Sequence, residues 1–254
     1  MSGVFDDAYA RCYDLLYRDK DYEAEAAYVA DCLKCHGVEG GAILDLGSGT
    51  GKHALEFVRR GYHVLGIDRS DAMVRLAHER SPQSTVERPE FEIGDVRTYR
   101  GSRVFDNVVS LFHVVSYQTT NEDLIATFET AAHHLRRGGL FIFDCWYGPA
   151  VLTKRPSARI KRIANEKVSV MRIAEPALDV RRNLAVIDYT LLIQSMGREL
   201  EDWHETHCLR YFFEPEVRDL LKQTGFEVCD AHESVTGRTL GIDTWYATFV
   251  AKKR

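Results

Sequence analysis

The chain has 254 residues, 45% of them hydrophobic, enough to bury a substantial core as one large domain or a domain carrying an insertion. A formal net charge of -5, from 33 basic against 38 acidic residues, gives no overall attraction to phosphate backbones or anionic lipid, so neither nucleic acid nor a membrane is an expected partner. No window approaches the roughly 18 uninterrupted apolar residues of a membrane span, and the opening stretch MSGVFDDAYARCYDLLY lacks a basic segment followed by an apolar one, so a soluble cytoplasmic protein is expected.

Over residues 22–35, Ala26, Val29, Ala30 and Leu33 recur at helical spacing and Gly37 follows as a stop, which predicts an amphipathic helix within an N-terminal helical cap, residues 1–37. Cys32, Cys35 and His36 there have the C-x-x-C-H spacing of c-type haem attachment. That attachment needs an exported chain, and a single C-x-x-C cannot close a zinc site, so Cys12, Cys32, Cys35, Cys145, Cys208 and Cys229 read as free thiols.

Strand and helical patterns then alternate: strand 42–46, helix 52–60, strand 63–68, helix 71–80, strands 89–93 and 105–111, helix 122–135, strand 140–144. This predicts a parallel sheet covered on both faces. RRGGL at 136–140 reads as a glycine helix stop just before the fifth strand. After it the period changes. Ile187, Tyr189, Leu191 and Ile193 share a face of one strand, and Trp203, Glu205, His207, Leu209 and Tyr211 a face of another, within an antiparallel β insertion over 150–213. A helix over 214–224, stopped by Gly225, leads to two last strands at 226–232 and 245–252.

The glycine-rich turn in DLGSGTGK, 45–52, identifies the first candidate site. A P-loop needs G-x-x-x-x-G-K-[ST], but Leu46 stands at its first position and His53 at its hydroxyl. A dinucleotide fingerprint needs G-x-G-x-x-G, and Gly51 comes one residue early. What remains is a turn that lets backbone approach a ligand closely, with Asp68 ending the second strand about twenty residues on, the usual distance for an acid that accepts from ribose hydroxyls.

These residues carry a resemblance. DLGSGTG at 45–51, GIDRS at 66–70, GDV at 94–96 and RGGL at 137–140 resemble, in order and spacing, the motifs of class I S-adenosylmethionine-dependent methyltransferases. The resemblance implies an α/β fold with a Rossmann-like seven-stranded sheet, its last strand antiparallel, S-adenosylmethionine as cofactor and S-adenosylhomocysteine as product. It puts Gly47, Ser48 and Gly49 against the methionyl part and Asp45 near its amino group. Asp68, with Arg69, falls to the ribose, Met73 and Val96 to the flanks of the adenine, and Asp95 to its exocyclic amine. For Asp45 a carboxylate that fixes the turn is an equal alternative.

A narrower resemblance covers most of the chain. YDLLYRDKDYEAEA (13–26), SLFHVVSYQTTNEDL (110–124), DCWYGP (144–149), ETHCLRYF (205–212) and TGRTLG (236–241) are similar to segments of bacterial N,N-dimethyltransferases of nucleotide-linked amino sugars. This implies that Tyr13 and Tyr22 cover the cofactor with Phe112 beside it, that Tyr117 lies near the acceptor amine, and that Trp146, Tyr147 and Arg238 meet the substrate. The insertion, where the likeness is loosest, would set specificity.

Methyl transfer from a sulfonium is an in-line displacement, so the main task is to place a neutral nucleophile on the S-methyl axis and exclude water. An ammonium acceptor must first lose a proton, and His113 and His207 are the base candidates by position. His204 and His207 in HETH lie three apart on a predicted strand and project to opposite faces, so no metal site is expected. Arg181–Arg182 and Lys161–Arg162 are candidates to meet a diphosphate, with solvated turn charges as the commoner alternative. Three functions stay open: N-methylation of a nucleotide-linked amino sugar, methyl transfer to another metabolite amine or hydroxyl, and cofactor binding without catalysis. The partner expected is a small molecule, and a homodimer is left open.

Overall fold

The computed structural model describes residues 7–81 and 88–254; residues 1–6 of the expected cap lie outside them. Two helices precede the sheet, α1 (Asp7–Leu16) and α2 (Tyr22–Cys35). Asp21 caps α2 by accepting from the Ala24 N–H, and Ala26, Val29 and Leu33 bury one stripe of it. The alternating part follows as β1 (Gly41–Leu46), α3 (Lys52–Arg59), β2 (Tyr62–Asp68), α4 (Asp71–Arg80), β3 (Glu90–Ile93) and β4 (Phe105–Ser110). A 3-10 turn (Val114–Tyr117), α5 (Asn121–His134) and β5 (Leu135–Tyr147) complete it. Then come α6 (Gly148–Lys154), β6 (Arg159–Ala164), β7 (Val168–Asp179), β8 (Leu184–Ser195), β9 (Leu200–Phe212), α7 (Glu214–Gln223), β10 (Phe226–Glu233) and β11 (Tyr246–Lys253).

Strands β3, β2, β1, β4 and β5 run parallel in that order, and β11 closes antiparallel on β5, as expected of the last strand. β10 pairs antiparallel with β11. The neighbours of β1 are β2 on one side and β4 on the other, so the strand order reverses there and leaves a crevice at the carboxyl ends of β1 and β4.

Three expectations need correction. The sheet does not stop at seven strands: among the described residues it has eleven, because β5 runs on to Tyr147 and pairs Trp146 and Tyr147 in parallel with Tyr211 and Phe212 of β9. The antiparallel ribbon β9-β8-β7-β6 thus continues the sheet. The RRGGL glycines are not a helix stop, since α5 ends at His134 with Leu135 already extended. Instead 136–139 bulge out of β5, which pairs Leu135 with Phe105 and Leu140 with Asn107; a Cβ on Gly139 would lie 2.6 Å from the Asp106 carbonyl oxygen. Finally, the insertion opens with a helix, α6, whose seven residues are too few to show a period.

Strand alternation sends Leu44, Phe141, Phe143 and Phe249 to one face of the sheet, against Phe128 of α5 and Leu221 of α7. Ile43, Val64 and Ile142 go to the other, against Leu33 of α2 and Phe57 of α3. Burial of each of these side chains contributes roughly 1.5–3 kcal/mol. A third cluster fixes the site: Tyr9 and Leu16 of α1 pack between Met73 of α4 and Val170, Leu191 and Ile193 of the insertion. The cap is therefore wedged between the nucleotide-type half and the ribbon.

Candidate active site

At the carboxyl end of β1 the chain turns through Gly47 (φ +81°), where a Cβ would lie 2.6 Å from the Val114 side chain. Asp68, at the end of β2, accepts from the Gly49 N–H (2.9 Å) and the Ser70 N–H (2.8 Å), so the acid braces the turn while facing the crevice. Burial pushes its carboxyl up, opposed by those two amides.

Asp45 sits behind the turn, 2% exposed, and its Oδ2 has no hydrogen-bond partner among the described residues. Burial pushes its pKa up to about 6, with His53 opposing and Asp68 adding to the rise. No hydrogen bond from the turn reaches it, which removes the support for a bracing role. A buried carboxylate oxygen without a donor fits an ammonium group brought by a ligand.

A cavity of about 790 Å³ fills the crevice. One end is lined by Gly47, Ser48, Gly49, Asp68, Arg69, Met73, Asp95 and Val96. Asp95 is already engaged: Arg97 donates to both of its oxygens (2.9 and 2.7 Å) and also to Asp123 (2.9 Å), and the guanidinium holds the Asp95 carboxyl down. From the cap, Tyr13, Tyr17 and Tyr22 line the same space. The cap is held there by two carboxylates. Asp14 accepts from Thr50 Oγ1 (3.1 Å) and pairs with Lys52 (3.1 Å) and Arg80; Glu25 meets His53 Nε2 (2.7 Å) and Lys20. Burial raises the Glu25 carboxyl, yet its bonds to His53 and Lys20 outweigh that and hold it at about 2.

After β4, Phe112 (φ +63°) and His113 (φ +66°) both adopt left-handed backbone, and their N–H groups donate to the two oxygens of Asp144 (3.2 and 2.7 Å). The strain of two such residues is held by this one carboxylate. His113 stacks on Tyr246 at 4.3 Å, and burial lowers its pKa against the pull of Asp144. Both residues line the cavity, as do Tyr117 and Trp146. Tyr117 Oη lies 2.8 Å from His207 Nδ1, and His207 Nε2 lies 3.0 Å from Glu205 Oε2.

Other predicted residues fall elsewhere. His207 is buried behind Tyr117 and does not line the cavity. Tyr147 packs against the core instead, and Arg238 is exposed and paired with Glu233 beyond β10. Arg181 and Arg182 sit at the turn between β7 and β8, and Lys161 is held by the Leu16 carbonyl; neither basic pair reaches the cavity. His204 and His207 do project oppositely, the first exposed beside Asp202 and the second buried.

Two arginines that sequence reasoning missed line the insertion's side, Arg159 and Arg172. Arg172 donates to Tyr17 Oη (3.0 Å) and Tyr9 Oη (3.4 Å) and lies over the Tyr189 ring at 5.0 Å, while its Nε is buried without a partner. Among the described residues neither arginine pairs with a carboxylate. The available signal was parity: Arg172 shares its strand face with Val170, Ala174 and Pro176, an otherwise apolar inward row.

Residues 43–139 match the model of a family described as a methyltransferase domain. The chain is a methyltransferase. This methyltransferase is 28% identical, over 92% of its own length and 96% of the relative's, to dTDP-3-amino-3,4,6-trideoxy-alpha-D-glucopyranose N,N-dimethyltransferase of Streptomyces venezuelae. Among solved structures it superposes on Streptomyces venezuelae DesVI with a TM-score of 0.80 at 25% identity, over 97% of this chain and 98% of that one. The sugar N-methyltransferase KedS8 of Streptoalloteichus shares the fold at a TM-score of 0.82 and 23% identity, over 100% of this chain and 97% of that one. No helix of the methyltransferase among the described residues is long and apolar enough to cross a membrane.

Proposed function

We propose that the methyltransferase moves a methyl group from S-adenosylmethionine to the amine of a nucleotide-linked amino sugar. The observation that carries this is one continuous cavity lined by Asp68 at one end, with the donorless Asp45 Oδ2 buried behind the same glycine turn, and by Arg159 and Arg172, without carboxylate partners among the described residues, at the other. The names of the relatives, which act on dTDP-linked amino sugars, support the acceptor class.

Bound S-adenosylmethionine supplies an activated methyl group on a sulfonium. Asp45 takes its amino group and Gly47, Ser48 and Gly49 let the methionyl chain lie against β1. Asp68 takes the ribose hydroxyls, with Arg69 beside it, and Met73 and Val96 clasp the adenine. Asp95 meets the adenine amine through the lone pairs that Arg97 leaves free. Tyr13, Tyr22 and Phe112 cover the cofactor, so residues 1–37 act as its lid. The ribbon, within residues 150–213, shapes the acceptor side: Arg159 and Arg172 receive the diphosphate, rather than the candidate pairs Lys161–Arg162 and Arg181–Arg182, and Trp146 stacks beside the sugar. Guanidinium suits this role because it stays charged when buried and bonds phosphate oxygens in pairs. A nucleotide-sugar is an intracellular metabolite, so the reading carries a cytoplasmic location with it.

Calorimetry tests the acceptor half. With S-adenosylhomocysteine present, a dTDP-linked amino sugar is expected to bind, and Arg172→Met to weaken it by roughly ten- to a hundredfold, the worth of a hydrogen bond to a charged group. Unchanged affinity in Arg172→Met would refute the diphosphate role.

A further inference from the structure

The methionyl part of the cofactor is an amino acid, with an α-carboxylate to place as well as an amine, and Asp45 answers only the amine. A carboxylate taken out of water without a cation or donors is costly, so the wall near Asp45 has to supply one.

Five lysines and arginines line the cavity: Lys52, Arg69, Arg97, Arg159 and Arg172. Arg97 is taken by Asp95 and Asp123, Arg69 follows Asp68 at the ribose, and Arg159 and Arg172 belong to the ribbon on the acceptor side. Lys52 remains. It opens α3 directly after the glycine turn, and the next residue, His53, is one of the groups that acts on the charge of Asp45. The Tyr22 ring touches both neighbours, with Lys52 Nζ 4.8 Å from its centre and the His53 ring 4.9 Å away. A lysine normally keeps its ammonium in water, yet this side chain is only 18% exposed, and burial lowers its pKa.

The counter-ion of Lys52 is shared. Asp14 of α1 meets Lys52 Nζ at 3.1 Å, pairs with Arg80 of α4 and accepts from Thr50 Oγ1. Two cations on one carboxylate leave this cluster with one positive charge in excess, and Lys52 is the member of the two that lines the cavity. Asp45, on the other side of the turn, contributes a negative charge. An α-amino acid carries the complementary pair. We infer that Lys52 receives the α-carboxylate of the cofactor and so lets the enzyme tell a nucleoside with a complete amino-acid tail from one that lacks the carboxylate. An ammonium has three donors, so Lys52 can hold the cofactor and Asp14 together, and the cofactor is thereby tied to the cap. The inference rests on the placement of the methionyl part proposed above.

Calorimetry with two ligands tests it: S-adenosylhomocysteine and its decarboxylated analogue, the aminopropyl thioether of adenosine, which keeps the amine. The wild type is expected to prefer S-adenosylhomocysteine by roughly ten- to a hundredfold, the worth of a hydrogen bond between charged groups. Lys52→Met is expected to lose most of that preference and Lys52→Arg to keep it. The preference compares two ligands on one variant, so any loosening of the cap through Asp14 cancels from it. A preference unchanged in Lys52→Met, or none in the wild type, overturns the inference. Asp45→Asn separately tests the placement, since both ligands carry the amine and both are expected to weaken alike. If neither weakens, the placement fails, whatever preference Lys52→Met returns.

Discussion

Asp45 has no hydrogen-bond partner at Oδ2 and a carboxyl raised to about 6, above its ordinary 3.8. The folded state therefore favours the protonated form. As pH rises from about 4 through 6 the folded protein must ionise a group it would rather keep neutral, at a full cost of about 3 kcal/mol. Asp45→Asn is accordingly expected to raise the melting temperature of the free enzyme at pH 8 and to leave it nearly unchanged at pH 4. The same substitution should weaken S-adenosylmethionine binding, because the ammonium loses its carboxylate. Wild-type affinity for the cofactor is expected to climb as pH passes 6; a flat profile by calorimetry would count against the ammonium role. Asp68→Ala should weaken the cofactor on the order of ten- to a hundredfold for each ribose bond lost. At this scale the cofactor end was legible in the sequence, since DLGSGTG and GID place their own chemistry locally. The acceptor end was not. Arg172 acquires meaning only from Tyr9, Tyr17 and Tyr189, which the fold brings to it from distant parts of the chain, whereas Arg181, Arg182 and Arg238 looked basic in sequence and sit on turns or beside Glu233.

The elements divide in the same way. Helices α2, α4 and α7 and strands β1 and β2 stand where periodicity put them, within a residue or so, because each buries one face against a single neighbour layer. Helix α6 and the extension of β5 escaped notice, the first for its brevity and the second because its pairing with β9 spans some sixty positions of chain. The cap shows how elements carry function. Asp14 on α1 is the only described side chain that binds Thr50, Lys52 and Arg80 together, and it ties the cap to the glycine turn. Asp14→Ala is expected to speed hydrogen exchange in α1 and weaken the cofactor without lowering the melting temperature much. Unchanged exchange would show that Tyr9 and Leu16 hold the helix alone. Glu25 gives the cap a pH limit. Its carboxyl is depressed to about 2 from 4.5, so its bonds to Lys20 and His53 are fully present above the higher value and lost as pH falls through the lower. Limited proteolysis between pH 5 and 3 should find the segment around 17–25 increasingly cut before the sheet unfolds.

At the scale of the molecule, the ribbon is built onto the sheet rather than beside it. Pairing of β5 with β9 at Trp146–Tyr147 joins the ribbon to the same sheet as the strands that carry the cofactor residues. A methyl donor and its acceptor are thereby held to a common frame, which an in-line displacement requires. The sequence alone told that strands followed the fifth, and it could not tell that they joined the same sheet. The account as a whole turns on what the enzyme does with both halves of the cavity filled. The direct measurement is mass spectrometry of a dTDP-linked amino sugar incubated with the enzyme and S-adenosylmethionine, with the free amino sugar and a hydroxyl analogue as parallel acceptors. Stepwise methyl gain on the nucleotide-linked amine, with S-adenosylhomocysteine released in equal amount, is the predicted result. Methylation of the free sugar or the hydroxyl analogue in preference to it, or of none of the three, would contradict the account.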